Sequence, residues 1–126
     1  MKEEIKSFED LECFKQCKAL RQKVSKLVKT FPTIEQYRLT DQLLRCSRST
    51  TNNIAEGYGR FHFKENAQFC RHARGSLFEL LDHLQIAFEE SYIDTTELKA
   101  LETETKNCIK ILNGFIKYLS TQTTQK

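Results

Sequence analysis

Apolar residues recur at alternating steps of three and four residues through four long stretches of this chain. In the first stretch they are Cys13, Cys17, Leu20, Val24, Leu27 and Phe31. This spacing places the side chains on one stripe of an α-helix and is typical of the seams of helical bundles. The chain has only one proline and four glycines, too few turn residues for an all-β fold. The pattern therefore predicts a fold built from long helices.

Four helices with short connections are predicted from this spacing and from the turn residues. The helices cover residues 8–30, 33–57, 64–90 and 95–119, and a frayed polar tail covers residues 120–126. Candidate capping boxes, which bond side chains to backbone in the first helical turn, are Ser7 with Asp10, Thr33 with Gln36, and Asp94 with Glu97. Short connections make neighbouring helices antiparallel. We therefore expect a single domain over residues 1–126, an all-α, antiparallel up-down-up-down four-helix bundle.

The segment SRSTTNNIAEGYGR, at residues 47–60, contains closely spaced glycines and several hydroxyl and amide side chains. It lacks the GxxxxGK[ST] pattern of a phosphate-binding loop, and it follows a helical stretch, whereas phosphate-binding glycines open a helix. We therefore predict that Gly57 or Gly59 ends the second helix in a left-handed conformation. In the third helix, Gly75 and Ser76 predict a close approach of another helix.

Histidine and cysteine patterns argue against a catalytic or metal site. No glutamate lies three residues before His62, His72 or His83, so the Glu-x-x-His pattern of di-metal bundles is missing. Cys13 and Cys17 share a helix face and could hold zinc, but both lie on the apolar stripe, where buried thiols are common. The chain has no GxSxG turn. We predict no catalytic residues, no metal ligands and no cofactor, and hence a protein that is not an enzyme.

Cysteine usage and hydropathy bear on where the protein acts. The five cysteines are an odd number at wide spacings, which argues against a disulfide framework. The N-terminal sequence MKEEIKSFED lacks the apolar core of a signal peptide, and the apolar runs are too short to span a membrane. We therefore expect reduced thiols, no membrane insertion and a cytoplasmic location.

Positive charge is concentrated in the middle of the chain. Six of the seven arginines lie in residues 38–74, whereas residues 75–126 carry eight acidic residues and five lysines. Clusters of cations bind phosphate backbones through charge neutralisation and counterion release. The predicted nucleic-acid-binding residues, on the second and third helices and the turn between them, are Arg45, Arg48, Arg60, Lys64, Arg71 and Arg74.

Aromatic residues lie between the cations of that turn. Tyr58, Phe61 and Phe63 could stack on unpaired bases. The same cations also fit a solvated surface whose charges pair with carboxylates of the same region, namely Asp41, Glu56 and Glu65. Both interpretations of the basic segment stay open at the level of sequence.

Two stretches carry a resemblance to a known family: DQLLRCSRSTTNNIAEGYGR at residues 41–60 and FCRHARGSLFELLDHL at residues 69–84. Over about residues 7–119 the chain resembles bacterial four-helix-bundle proteins encoded in intervening sequences of 23S ribosomal RNA genes, often labelled S23-like ribosomal proteins. The accessory variability protein of diversity-generating retroelements is a relative of that family. The resemblance implies a four-helix bundle that is homopentameric in several members, a basic surface proposed to bind RNA, and no catalysis.

A second apolar row on the third helix becomes a candidate subunit interface in the light of this resemblance, because each helix of one bundle needs only one buried face. Its residues are Phe78, Leu81 and Phe88. Two functions follow as hypotheses. One is a non-enzymatic, homo-oligomeric adaptor, a pentamer by resemblance, that binds RNA. The other is a protein-interaction scaffold whose basic face binds an acidic protein partner.

Overall fold

The computed structural model describes residues 4–124 and is built from four helices. They are α1 (Glu12–Leu27), α2 (Leu39–Gly59), α3 (Phe63–Glu89) and α4 (Thr95–Thr124). Short 3-10 turns cover Phe8–Asp10, Val28–Thr30 and Thr33–Glu35. The described residues contain no strand. The predicted all-α fold of four helices is confirmed.

The four helices form a closed ring in which each packs against two neighbours. The contacts join α1 to α2, α2 to α3, α3 to α4 and α4 to α1, with no close backbone contact across either diagonal among the described residues. Every seam of the ring has a polar link between side chains: Arg21–Thr51 at 2.8 Å, Ser49–Ser76 at 2.9 Å, Arg74–Asn113 at 2.8 Å and Lys23–Glu104 at 2.8 Å. These links fix the register of each pair of helices.

The core combines apolar side chains from all four helices with a few buried hydroxyls. Leucines on the predicted stripes, such as Leu20, Leu43 and Leu80, are almost fully buried. On α2 the buried stripe includes Ser47 and Thr50, whose hydroxyls donate to backbone carbonyls one turn earlier, at 3.1 Å and 2.7 Å. A buried hydroxyl that bonds in this way leaves no unpaired polar group. Thus α2 stays helical through residues with modest helix propensity.

Two of the three predicted capping boxes are confirmed. Ser7 and Asp10 bond reciprocally to backbone amides at the start of the first 3-10 turn. The amide of Glu97 donates to Asp94 at 2.8 Å, and the amide of Asp94 donates to Glu97 at 3.2 Å. The third box, proposed at Thr33, is wrong, because no side chain caps that short turn.

The helix ends differ from the predicted boundaries at several places. The stretch predicted as one helix over residues 8–30 is α1 flanked by a 3-10 turn at each end. The predicted helix over residues 33–57 starts later, at Leu39, whose backbone amide donates to the Glu35 carboxylate at 3.3 Å. The tail predicted to fray from residue 120 is helical to Thr124, and residues 125–126 lie outside the described part.

The prediction that Gly57 or Gly59 ends α2 is confirmed in position, because the helix ends at Gly59, but the predicted left-handed conformation is wrong. Neither glycine has a positive φ, and the left-handed residue of the following turn is Phe61, with φ 60°. At Gly57, α2 lies close against α3, because an added Cβ would lie 2.8 Å from Asn66 Oδ1 and 2.9 Å from Phe69 Cβ. By contrast, a Cβ at Gly75 would meet no atom within 4 Å. Of the pair predicted to allow a close approach, Gly75 is open, whereas Ser76 contacts Ser49 of α2 at 2.9 Å; the tight contact at Gly57 was not predicted.

Candidate nucleic-acid interface

The six predicted nucleic-acid-binding residues are distributed over three parts of the bundle. Arg45 and Arg48 are exposed on the outer side of α2. Arg60 and Lys64 flank the turn from α2 to α3. Arg71 and Arg74 lie on α3, and Arg74 reaches α4 by donating to Asn113. The six cations therefore do not form one continuous patch.

Arg60 stabilises the α2–α3 turn through contacts within the chain. Its guanidinium lies 3.0 Å from Glu56 and 3.7 Å from Glu65, and it stacks over the ring of Phe69 at 5.1 Å from the ring centroid. The two carboxylates offset its charge. Arg60 is therefore a structural contact of the turn rather than an available cation, whereas Lys64 is exposed and has no side-chain partner among the described residues.

Arg71 and Arg74 lie on the opposite flank of α3 from the seam with α2. Ser76 of α3 contacts Ser49 of α2, while Arg74, two residues earlier, contacts Asn113 of α4. Two residues correspond to about 200° around an α-helix. The cations of α3 therefore accompany α4.

On α2, Arg45 and Arg48 keep their charges largely available. Arg45 lies 3.8 Å from Asp41, and its side chain is 80% exposed, so the pairing is weak and solvent-screened. Arg48 is exposed and has no side-chain partner within residues 4–124. It lies one turn before Thr51, whose hydroxyl contacts Arg21 of α1.

The helix α1 supplies cations that the sequence-based prediction missed. Residues 13–34 contain six basic residues and no carboxylate. Arg21 and Lys23 link α1 to its two neighbouring helices, while Lys18, Lys26 and Lys29 are exposed and have no side-chain partner in the described part of the chain. We call Lys18, Lys29, Arg45 and Arg48 the α1–α2 face, whereas Lys26 lies on the α4 side of α1, beside Glu97 and Leu101. The absence of acidic residues over this stretch is the sequence signal that could have identified it.

A second basic surface accompanies α3 and α4. Residues 105–124 contain three lysines and no carboxylate. We call Arg71, Arg74, Phe78, Lys106, Lys110 and Lys117 the α3–α4 face. Phe78 lies one turn after Arg74 on α3, and Lys110 lies one turn before Asn113 on α4. Because the two helices are antiparallel, both residues lie on the same side of the Arg74–Asn113 contact. This surface therefore combines cations with an exposed aromatic ring.

The three residues predicted as a subunit interface differ in exposure. Phe78 is 56% exposed on the outer side of α3, and Phe88 is 36% exposed at its C-terminal end. Leu81 is half-buried and packs against the core. Phe78 is thus the most accessible apolar side chain of the row, and it lies one turn after exposed Gly75.

The three aromatic residues of the α2–α3 turn also differ. Phe61 is 86% exposed, whereas Tyr58 and Phe63 are half-buried and line a cavity of about 350 Å³ between the helix ends. Phe61 is therefore the ring of the three that is freely accessible to a base. Tyr37, in the connection from α1 to α2, is similarly accessible, at 85% exposed.

The five cysteines are free and buried. Burial raises the pKa of the Cys13 thiol to about 12, so it stays protonated and packs as an apolar group. Neither Cys13 nor Cys17 belongs to a group of three potential metal ligands among the described residues. The zinc arrangement considered for this pair is therefore not supported.

No helix in the described part of the chain combines the length and apolar character needed to cross a membrane. No curated protein matches the chain at significant similarity. The family model described as "23S rRNA-intervening sequence protein" matches residues 9–114. That range begins within the first 3-10 turn and ends within α4, so it includes α1, α2 and α3 and about two thirds of α4. The chain therefore belongs to the family of 23S rRNA-intervening sequence proteins.

Proposed function

We propose that this protein is a non-enzymatic, homo-oligomeric RNA-binding adaptor that contacts RNA through the α1–α2 face. The observation that carries the proposal is the run of six basic residues without a carboxylate in residues 13–34, continued on α2 by Arg48. The family name, which refers to an intervening sequence of 23S rRNA, makes RNA the polyanion we favour.

The physical basis is the availability of these charges. Lys18 and Lys29 have no side-chain partner among the described residues, so a phosphate would not have to compete with a carboxylate for them. Their eleven-residue span is about 16 Å along a helix axis. Phosphates of one duplex strand are spaced about 3.4 Å apart along its axis. The face is therefore long enough to contact several consecutive phosphates.

The chemistry of this face supports binding without catalysis. Its exposed groups are ammonium and guanidinium groups, which donate hydrogen bonds and attract anions. A hydrolytic or transfer site would need a nucleophile and a base in mutual contact. We place the protein in the cytoplasm, with the RNA that it binds.

Self-association is the second part of the proposal. Phe78 is more than half exposed, and the absence of any neighbour around Gly75 leaves an open approach beside it. A large exposed ring beside an open site fits contact with another protein surface. We propose that Phe78, supported by Leu81 and Phe88, contacts a second copy of the chain.

Binding of a labelled RNA at increasing salt concentration tests the RNA assignment. The probes are an RNA copied from a 23S rRNA intervening sequence and an unrelated RNA of equal length. We expect affinity to fall with a logarithmic slope of about −0.7 for each neutralised phosphate of a single strand, hence about −3 for four or five contacts. No measurable binding of either RNA at low salt, or binding that does not depend on salt, would contradict the proposal. Co-purification with an acidic protein, without RNA affinity, would instead support the scaffold hypothesis.

A further inference from the structure

A mixed cluster of potential metal ligands lies on the seam between α2 and α3, apart from both basic faces. The hydroxyls of Ser49 and Ser76 fix the register of this antiparallel pair. One turn further along, three residues before Ser49 and three after Ser76, the same register brings Cys46 opposite Glu79. His83 follows Glu79 by one helical turn and faces the same seam.

The three side chains are arranged compactly. Cys46 Sγ, a carboxylate oxygen of Glu79 and a ring nitrogen of His83 all lie within 4.8 Å of one another. Glu79 Oε2 and His83 Nε2 are 3.2 Å apart. In a tetrahedral zinc site with ordinary bond lengths, nitrogen and oxygen ligands are about 3.4 Å apart and sulfur is about 3.6 Å from each. The nitrogen–oxygen edge is already at this spacing, and a shift of about 1 Å at the thiol would complete the triangle.

The imidazole of His83 is positioned by this arrangement. His83 is 9% exposed, and its Nδ1 atom is buried without a hydrogen-bond partner among the described residues. Its Nε2 atom faces the Glu79 carboxylate, so Nε2 is the nitrogen that would bind an ion together with Glu79. The two ring nitrogens point in different directions, and with an ion on Nε2 the ring proton lies on Nδ1. The site is therefore indicated by the compact arrangement of the three ligand atoms.

We propose that Cys46, Glu79 and His83 form a binding site for a divalent transition-metal cation, with zinc as the best match. One sulfur, one nitrogen and one oxygen ligand suit zinc, and three protein ligands leave one tetrahedral position open. The Glu79 side chain is 56% exposed, so an ion can reach the site from solvent at Glu79. The bound ion would join α2 to α3.

Binding is coupled to the loss of the Cys46 thiol proton, because a metal ion binds the thiolate and not the thiol. The alternative is an ordinary hydrogen bond between Glu79 and His83 beside a buried thiol, which binds no cation.

Titration of the purified, metal-free chain with Co²⁺ tests the proposal. We expect one ion per chain, a sulfur-to-cobalt charge-transfer band, and the visible bands of four-coordinate Co²⁺, all of which zinc displaces. The wild-type spectrum does not depend on the folding of any variant. The absence of a sulfur-to-cobalt band at saturating Co²⁺ would overturn the assignment.

Matched cysteine variants locate the site. Cys46 donates to the Leu43 carbonyl and Cys70 to the Asn66 side chain, and serine can keep both hydrogen bonds. We expect Cys46→Ser to abolish the charge-transfer band and to weaken Co²⁺ binding by more than about 100-fold, since changes even beyond the direct ligands cost 10–100-fold. Cys70→Ser should leave the spectrum unchanged. A band that survives Cys46→Ser or is lost in Cys70→Ser would place the metal elsewhere and overturn the proposal.

A surface variant completes the test without disturbing the core. Glu79→Gln keeps the shape of an exposed side chain and removes its charge, so the fold should persist. We expect Co²⁺ affinity to fall at least about 10-fold and the charge-transfer band to remain at saturation. Unchanged affinity would show that Glu79 is not a ligand and would contradict the three-residue site.

Discussion

The α1–α2 face and the α3–α4 face are both positively charged, but their exposed side chains differ in kind. On the α1–α2 face, lysines and arginines such as Lys18 and Arg48 have no side-chain partner among the described residues. On the α3–α4 face, Arg74 is tied to Asn113, and exposed Phe78 lies among the cations. The first surface suits a flexible polyanion, and the second suits a folded protein surface. Charge alone therefore does not identify the nucleic-acid interface.

The largest expected effect concerns the apolar ring of the α3–α4 face. Phe78→Glu replaces an exposed aromatic side chain by a charge that would be buried at a subunit contact, which is strongly unfavourable. We expect light scattering to give the mass of a monomer for this variant and a higher mass for the wild type, with five copies as implied by the resemblance. Tyr37→Glu, at a similarly exposed ring on the α1–α2 connection, serves as the control and should keep the wild-type mass. A wild-type protein that is already monomeric would contradict the proposed role of Phe78.

The next effect concerns the α2–α3 seam that joins the two faces. Gly57→Ala places a Cβ within 3 Å of atoms of Asn66 and Phe69. Overpacking costs about 1–3 kcal/mol, and the helix gains about 0.5–1 kcal/mol when alanine replaces glycine. We expect a net loss of up to about 2.5 kcal/mol in the free energy of unfolding, measured with urea.

Gly59→Ala is the matched control, because Gly59 is also helical but has no atom within 4 Å of an added Cβ. It should stabilise the fold by about 0.5 kcal/mol. Equal unfolding free energies for the two variants would show that α2 and α3 do not approach closely at Gly57.

A smaller effect distinguishes Arg60, which is paired within the chain, from cations such as Lys64 that have no side-chain partner among the described residues. Arg60→Gln removes two partly exposed ion pairs and a stacking contact with Phe69, and it should lower the free energy of unfolding by about 0.5–1 kcal/mol. RNA affinity should change by less than about twofold, because the charge of Arg60 is already offset. Lys64→Gln, one turn away, should leave stability within about 0.5 kcal/mol of wild type. A large loss of RNA affinity in Arg60→Gln alone would show that the α2–α3 turn is part of the RNA-binding surface.

The smallest effect concerns a side-chain hydrogen bond between the α1–α2 connection and the α3–α4 connection, which lie at the same end of the bundle. Tyr92 donates to Glu35 at 2.7 Å. This bond lowers the pKa of Glu35 below its usual 4.5 and raises the pKa of Tyr92 to about 12. Because the pKa of Glu35 is lower in the folded state, its contribution to stability is present above its pKa in the unfolded chain. That contribution is lost as the pH falls through its pKa in the folded chain. For the raised Tyr92 pKa, the contribution is present below about 10 and is lost as pH rises through about 12.

Tyr92→Phe should therefore reduce thermal stability slightly at neutral pH, and its difference from wild type should shrink as the pH falls below the usual range of Glu35. Tyr37→Phe is the control, since Tyr37 is 85% exposed and should show no difference at any pH. A Tyr92→Phe difference that stays constant from neutral to acidic pH would exclude Glu35 as the partner.

The sequence predicted the four helices because their apolar periodicity is long and regular, whereas their ends depend on contacts that periodicity does not encode. The start of α2 is set by Glu35, which accepts the Leu39 amide and also holds Tyr92. A local capping pattern pointed instead to Thr33. Gly57 resembled a helix stop in sequence, but its role becomes visible only when Asn66 and Phe69 of α3 are brought beside it.

The candidate interface was harder to predict for a related reason. The concentration of arginines pointed to residues 38–74 as the interface. In the fold, however, these cations lie on different sides of α3, and Arg60 is paired with Glu56. The lysines of α1 were overlooked because they are not clustered with the arginines. The Cys46–Glu79–His83 group also spans two helices. Glu79 and His83 lie 33 and 37 residues after Cys46 in the sequence, so no short spacing motif connects them to it.

The most direct test of the central claim compares RNA affinity after equal charge reversals on the two faces. One variant carries Lys18→Glu and Arg48→Glu on the α1–α2 face, and the other carries Arg71→Glu and Lys117→Glu on the α3–α4 face. Both lower the net charge by the same amount, and light scattering confirms that the assembly mass is unchanged. We expect the first variant to lose at least about 10-fold in affinity with a shallower salt dependence, and the second to lose less than about threefold. Equal losses, or a larger loss in the second variant, would contradict the assignment of the α1–α2 face as the RNA-binding surface.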